Sequence, residues 1–262
     1  MRIATLRIWK VAETRFVLDM ADDAPWRVWE TTSRRDAEAL CEFAGRLCYQ
    51  SWDRPNPATR ANEDYLRNIL AQEHYSVLEH AGFTVVLTGV SRSCTHELVR
   101  HRHLSFSQLS QRFVNEEEAA VVVPPLLRDD PEALAILEEV WAVTSRAYRR
   151  LVELAQRKLS TLPDRRMRRK RAREAARCVL PNCTETHIVM TGNHRAWREF
   201  FTKRGSLHAD AEIREVALKI FCEVAQPLAP HIYQDFQVVA HTLPNGEVLE
   251  AIERRMLLAP GE

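Results

Sequence analysis

The six cysteines, Cys41, Cys48, Cys94, Cys178, Cys183 and Cys222, form no C-x-x-C pair, so the sequence offers no disulfide framework to read. The opening MRIATLRIWK lacks the long apolar core of a secretory signal, and a reducing cytoplasm is the expected home. No stretch approaches the roughly 18 consecutive apolar residues of a membrane-spanning helix, so no membrane partner is expected. Excess charge is missing too: a formal balance of +1 gives no global reason to expect nucleic acid. There is no internal repeat, low-complexity tract or long linker.

What is present is 262 residues with 45% apolar content, enough to close a substantial core. One mixed α/β domain over 1–262, mostly helical with a central sheet, is the economical expectation. Alternation in RIATLRI predicts a first strand, and residues 34–50 repeat apolar side chains at helical spacing. A prolyl loop, WDRPNPAT, precedes a helix over 62–72 with Asn62 as its expected cap. GFTVVLTGV reads as a strand with one wet face through Thr84 and Thr88. Ser91 or Ser93 caps a helix through SCTHELVRH, with Cys94 and Leu98 inward and Glu97 beside Arg100 and His101. Residues 100–112 follow as a loop, and 113–123 read as a return to strand.

Asp130-Pro131 should open the longest helix, by the pairing of a cap with a proline. Residues 165–177 hold eight arginines and lysines against Glu174, net +7 in a chain of +1, so the remainder carries −6. This segment reads as a helix with a small-residue stripe at Ala172, Ala175, Ala176 and Val179, ended by Pro181. Two more helices, HRAWREFFTKR and HADAEIREVALKIFCEVAQ, precede FQVVAHTLPNGEVLEAI, a hairpin turning at Asn245-Gly246.

The chemistry concentrates in RHRHLSFSQLSQR, residues 100–112. Arg100, Arg102 and Arg112, with Ser105, Ser107 and Ser110 between them, suit a doubly charged phosphate, because guanidinium forks and hydroxyls make short charge-assisted bonds to its oxygens. The apolar and cysteine positions before Arg100 predict that it is partly buried, where a guanidinium needs an anionic partner. A basic surface loop is the bland alternative. Two rival readings remain: a nucleic-acid-binding protein using the basic 165–177 helix, against which the near-neutral total charge argues, and a metal-dependent hydrolase built on His96, His101 and His103. The second is disfavoured by the charge of Arg100 and Arg102 between those histidines, so no metal is expected.

The same thirteen residues resemble the RHRxxSxNxxSxR signature of the flavin-dependent thymidylate synthases, matching at Arg100, His101, Arg102, Ser105, Ser110 and Arg112, with Ser107 in place of asparagine. HYSVLEHA, SRSCTHELVRHR, AARCVLPNCTET, GNHRAW and KRGSLHADAEIR are similar to family segments in the expected order, over roughly residues 40–225 and nearest the actinobacterial branch. The resemblance implies a methyltransferase that makes thymidylate from deoxyuridine monophosphate (dUMP), with methylene-tetrahydrofolate as carbon donor and NADPH as reductant through bound FAD, and with no cysteine nucleophile. It implies a cytoplasmic homotetramer with shared active sites, near whose interface the basic helix could lie.

Carried over residue by residue, the resemblance assigns Glu97, Leu98, Val99, Arg100, Gln108, Leu109, Ser110, Gln111, Arg112 and Arg177 to dUMP. Arg204 would sit against the pyrimidine and favour its ionised form, a catalytic role; its bland reading is a cation near a helix end. Ser76, Arg100, His101, Arg102, Gln108, Asn193, His194 and Arg195 would hold FAD, with His74 near flavin and folate as a second catalytic residue. Glu199 stands where relatives tend to carry histidine or asparagine; an acid would repel a pyrophosphate, and Glu199 is left out of the cofactor site.

Overall fold

The computed structural model describes residues 1–18, 22–53 and 56–260. Of the expected prolyl loop, Arg54 and Pro55 lie outside the described residues. In chain order the elements are β1 (Arg7–Glu13), α1 (Asp36–Tyr49), α2 (Asn62–Ala71), β2 (Gly82–Ser91), α3 (Arg92–Leu98), β3 (Ser105–Gln108), α4 (Pro131–Lys158), α5 (Arg165–Ala176), β4 (Glu185–Asn193), α6 (His194–Arg204), α7 (Ala211–Ile220), β5 (Phe236–Thr242) and β6 (Val248–Arg254). Four strands form a sheet in the order β1-β2-β4-β3, and β5 and β6 form a separate antiparallel pair. The mixed, mostly helical architecture matches the expectation.

The chain divides into two compact units. The helix-pair unit comprises Met1–Arg7, Val86–Arg100 and Phe106–Val189. In it Asp130 accepts from the backbone N–H groups of Glu132 and Ala133, with Pro131 at the first position, so α4 starts where the cap rule places it. Trp141 and Tyr148, two turns apart, are the buried side of α4. Asp164 caps α5 in the same way, and Ala172 and Ala176 are fully buried, small enough to let α5 pack closely on α4. Within this unit Gly89 adopts a left-handed φ of +70°, where an added Cβ would also meet the Thr5 backbone.

The aromatic unit comprises Ile8–Val85, His101–Ser105 and Met190–Glu262. Its centre is Trp197, Phe200 and Phe201 of α6 with Phe221 and Tyr233, all fully buried. Phe83 stacks on Trp197 at 4.6 Å, and a second cluster gathers Phe16, Trp26, Trp29, Phe43 and Trp52. Asn193 caps α6 by accepting from the Ala196 N–H. At the other end of α6 the Gly205 N–H donates to Phe201 O and Gly205 O accepts from the Ile252 N–H, each at 2.8 Å. A Cβ on Gly205 would stand 2.6 Å from the Ile252 side chain, so only glycine fits between α6 and β6.

Several local expectations change. The first strand is shifted to Arg7–Glu13, overlapping RIATLRI at Arg7 and Ile8, while Ile3 upstream makes an isolated bridge to Val121. Asn62 is the first residue of α2 and not its cap; its buried amide donates to Glu38 O and Glu42 Oε2. Residues 113–123 contain no strand, only a bridging Val121, whereas the presumed loop 100–112 contains β3, and β4 had no clear alternation to announce it.

Candidate functional site

Ser91 begins the motif's support: its side chain accepts from the Cys94 N–H, and the short α3 buries Cys94, Thr95 and Leu98. Glu97 is half-buried, and Val99 and Arg100 emerge at the helix end exposed, so the expected partial burial of Arg100 is not met. The chain then passes through His101–Ser105 and returns as β3. Gln108 Nε2 donates to Thr95 Oγ1 at 2.9 Å, and the Leu109 N–H donates to His187 O at 2.9 Å, tying the strand end to α3 and β4. Beyond it Gln111 is buried, Ser110 half-buried and Arg112 exposed. The Arg112 guanidinium lies 5.9 Å from the Phe113 ring. Thus 108–111 form one fixed edge, while Arg100, Arg112 and Arg177 present their charge to solvent.

Sequence reasoning passed over Arg92, which donates to Leu109 O at 3.3 Å and braces that edge. Burial lowers its pKa, Glu116 opposing and Arg177 adding to the shift, so Arg177 and Arg92 share one electrostatic environment. The signal was a cation at the first position of α3, easily taken for a surface residue.

In the aromatic unit the best-defined contact joins two predicted residues. Arg204 Nε donates to His101 Nε2 at 2.9 Å, and the His101 ring meets Phe200 edge-on at 5.1 Å. Burial first, then the charges of Arg204 and Lys203, lower the His101 pKa to about 4, with Glu199 opposing. Glu199 is ion-paired with Lys203 at 2.5 Å. Arg102 and His103 are exposed.

His74, Ser76 and Arg195 come together on a cavity of about 380 Å3 whose other walls include Cys48, Tyr49 and Tyr75. Mixed aromatic and polar walls suit a planar ring carrying hydrogen-bonding edges, and the volume admits one part of a dinucleotide. Arg195 also pairs with Glu79 at 2.5 Å. Tyr75 is held from behind: Arg254 donates to its hydroxyl at 2.8 Å, and Arg254 and Arg198 share Asp235, Arg198 through a buried bidentate pair at 2.7 and 2.6 Å. That network was missed, because nothing near Arg198 in sequence announces Asp235.

Asn193 spends its side chain on the α6 cap. His194 turns inward and is fully buried, its Nδ1 2.7 Å from the Tyr233 hydroxyl. Its Nε2 is among the few buried polar atoms without a partner in the described residues. Burial, then Arg198, lowers its pKa to about 3, so it is a neutral core histidine whose side chain points away from any surface ligand. On α5, Arg173 donates to Phe113 O and Arg168 to Ser160 O, while Arg165, Arg166, Arg169 and Arg171 are exposed.

The family model described as "Thymidylate synthase complementing protein" matches residues 27–231. A flavin-dependent thymidylate synthase of Mycobacteroides abscessus is 50% identical over 244 residues, 93% of this chain and 94% of that protein. One of Mycobacterium tuberculosis is 49% identical over 243 residues, again 93% and 94%. Among solved structures, a thymidylate synthase X from Helicobacter pylori with FAD and dUMP superposes with a TM-score of 0.58 at 20% identity, covering 88% of this chain and 98% of that one. A UMP/dUMP methylase from Streptomyces cacaoi bound with 5-Br dUMP gives 0.64 at 19%, covering 89% and 97%. At those identities the two structures share the fold.

Proposed function

The chain belongs to the flavin-dependent thymidylate synthase family, and on that premise we propose how its residues carry the reaction. It is a methyltransferase acting on dUMP with FAD as cofactor. The observation that carries this is identity near one half over nine-tenths of the chain, with the arginine-serine motif intact at six fixed positions. The carbon donor we propose is methylene-tetrahydrofolate and the reductant NADPH. A bond forms between C5 of the pyrimidine and the methylene carbon, the two bonds from that carbon to the folate nitrogens break, the nitrogens take up the C5 proton and one proton from solvent, and a hydride completes the methyl group, giving thymidylate, tetrahydrofolate and NADP+. FAD, when bound, would supply that hydride after taking it from NADPH.

The chain's own residues then bind, orient and polarise. In the helix-pair unit, Arg100, Ser110, Arg112 and Arg177 hold the nucleotide phosphate and sugar by charge-assisted bonds, with backbone of 97–100 and the fixed edge 108–111 giving the register. In the aromatic unit Arg204 faces the pyrimidine; its fixed positive charge stabilises the negative charge that C5 needs in order to attack. His74, Ser76, Arg102 and Arg195 would hold FAD, and the family resemblance assigns Gln108 to it as well. Asn193 and His194 act for the cofactor through the position they give α6. The whole of 1–262 serves as one such catalytic domain, in a cytoplasmic homotetramer whose sites draw on several copies. No helix among the described residues is long and apolar enough to cross a membrane.

An anaerobic incubation of the protein with dUMP, methylene-tetrahydrofolate, NADPH and FAD, with product identified by mass, tests the reading. A mass gain of one methyl group on the nucleotide, dependent on all four, is expected. NADPH oxidation indifferent to dUMP, with no methylated product, would overturn it.

A further inference from the structure

The last turn of α6 and the turn that begins at His101 make a small, defined device. Phe200 and Arg204 lie four residues apart on one face of α6, so the helix offers a ring and a guanidinium in succession. The His101 ring rests against the first and its Nε2 accepts from the second. The turn is closed by the Leu104 N–H donating to His101 O at 3.1 Å, and Leu104 is buried. Behind Arg204, Gly205 is locked between Phe201 O and the Ile252 N–H. Both partners of the bond therefore sit on fixed backbone.

A guanidinium only donates, and resonance keeps its Nε–H coplanar with both Nη groups, so fixing Nε fixes the plane of the whole fork. A neutral imidazole with its proton on Nδ1 offers a lone pair at Nε2; an imidazolium would offer a second donor and a second positive charge. The groups facing His101 from α6 are Arg204, Lys203 and Glu199, and burial together with the two cations keeps it neutral.

We propose that His101 is a positioning residue for Arg204: by accepting the Nε–H it sets the plane in which the guanidinium meets the pyrimidine. This rests on the placement of Arg204 against the pyrimidine argued above. It also gives the histidine of the motif a task distinct from that of the arginines on either side of it.

The test compares His101→Leu, His101→Gln, Arg204→Lys and the double variant His101→Leu with Arg204→Lys. Flavin content, the change in the flavin spectrum on adding dUMP, and thymidylate turnover are read for each. His101→Leu should keep its flavin, lose the dUMP-dependent spectral change, and turn over about tenfold to a hundredfold more slowly, the cost of one hydrogen bond to a charged group. His101→Gln supplies a carbonyl acceptor and should recover most of both. The double variant should be no worse than Arg204→Lys alone, because the two changes remove one interaction. Loss of flavin from His101→Leu would overturn the proposal by making the ring a direct cofactor ligand. Losses that multiply, or a glutamine variant no better than leucine, would overturn it as well. None of these outcomes touches the activity itself, which fails only if the unaltered protein forms no thymidylate.

Discussion

Helices α5 and α6 are both rich in cations and put them to opposite uses. α5 has the densest positive charge in the chain, yet Arg165, Arg166, Arg169 and Arg171 stand in solvent, and Arg168 and Arg173 make single bonds to backbone carbonyls. α6 carries fewer, but Arg198 is buried on Asp235 and Arg204 is bonded to a half-buried histidine. Exposed charge is screened and its pairings contribute little, whereas a desolvated cation is strongly coupled to whatever it meets. Chemistry follows desolvation and partnership, and the count of arginines in a segment is a poor guide to it.

Four measurements would break or sharpen that contrast. Asp235→Ala leaves Arg198 buried without its carboxylate and removes one support of Arg254, and should cost about 3–5 kcal/mol in urea unfolding. A loss near zero would mean that water or a rearranged side chain replaces Asp235, and that α6 is no more coupled than α5. Arg204→Ala should lower thymidylate turnover by about a hundredfold to a thousandfold with flavin still bound, the cost of one electrostatic stabiliser. Loss of flavin instead would relocate its role.

The third measurement uses pH. His194 and His101 have pKa values held at about 3 and about 4, below the ordinary 6.5 they regain on unfolding. Depressed values mean that the unfolded chain binds more protons between those limits. Stability is therefore full above about pH 6.5 and falls as the pH drops toward 4 and then 3, each group contributing up to about 1.4 kcal/mol per pH unit. His194→Gln should flatten that acid slope relative to the unaltered protein, as followed by urea midpoints at pH 7, 6 and 5; an unchanged slope would show that His194 is not the buried neutral base described. The smallest effect is expected from Arg169→Gln on α5: stability within about 0.5 kcal/mol and unaltered turnover. A large loss there would erase the contrast.

The sequence announced those parts of the fold whose signals are local. Asp130-Pro131 and the Asn193 cap fix the starts of α4 and α6, and Asn245-Gly246 marks the turn of the terminal hairpin, where Gly246 adopts a φ of +86°. The motif also identified the cationic and hydroxyl residues 100–112. What stayed hidden depends on partners far away in the chain. Whether His194 faces a ligand or the core is decided by Tyr233, and Arg198 becomes a core residue only because Asp235 arrives beside it. Asn62 looked like a cap because asparagine favours that place; the buried carboxylate of Glu42 claimed its amide instead. β3 is four residues long and rich in serine, too short and too polar for alternation to reveal it.

The contact between Gly205 and Ile252 reaches further than packing. The family match ends at residue 231, while the ribbon that clamps α6 begins at Phe236. A strand beyond the residues that the family model matches thus helps to fix the end of α6 that carries Arg204, the residue we propose for the pyrimidine. Trimming that strand would release the Gly205 end of α6 while leaving every residue of the arginine-serine motif in place, and a fall in thymidylate turnover with the motif intact is the expected outcome.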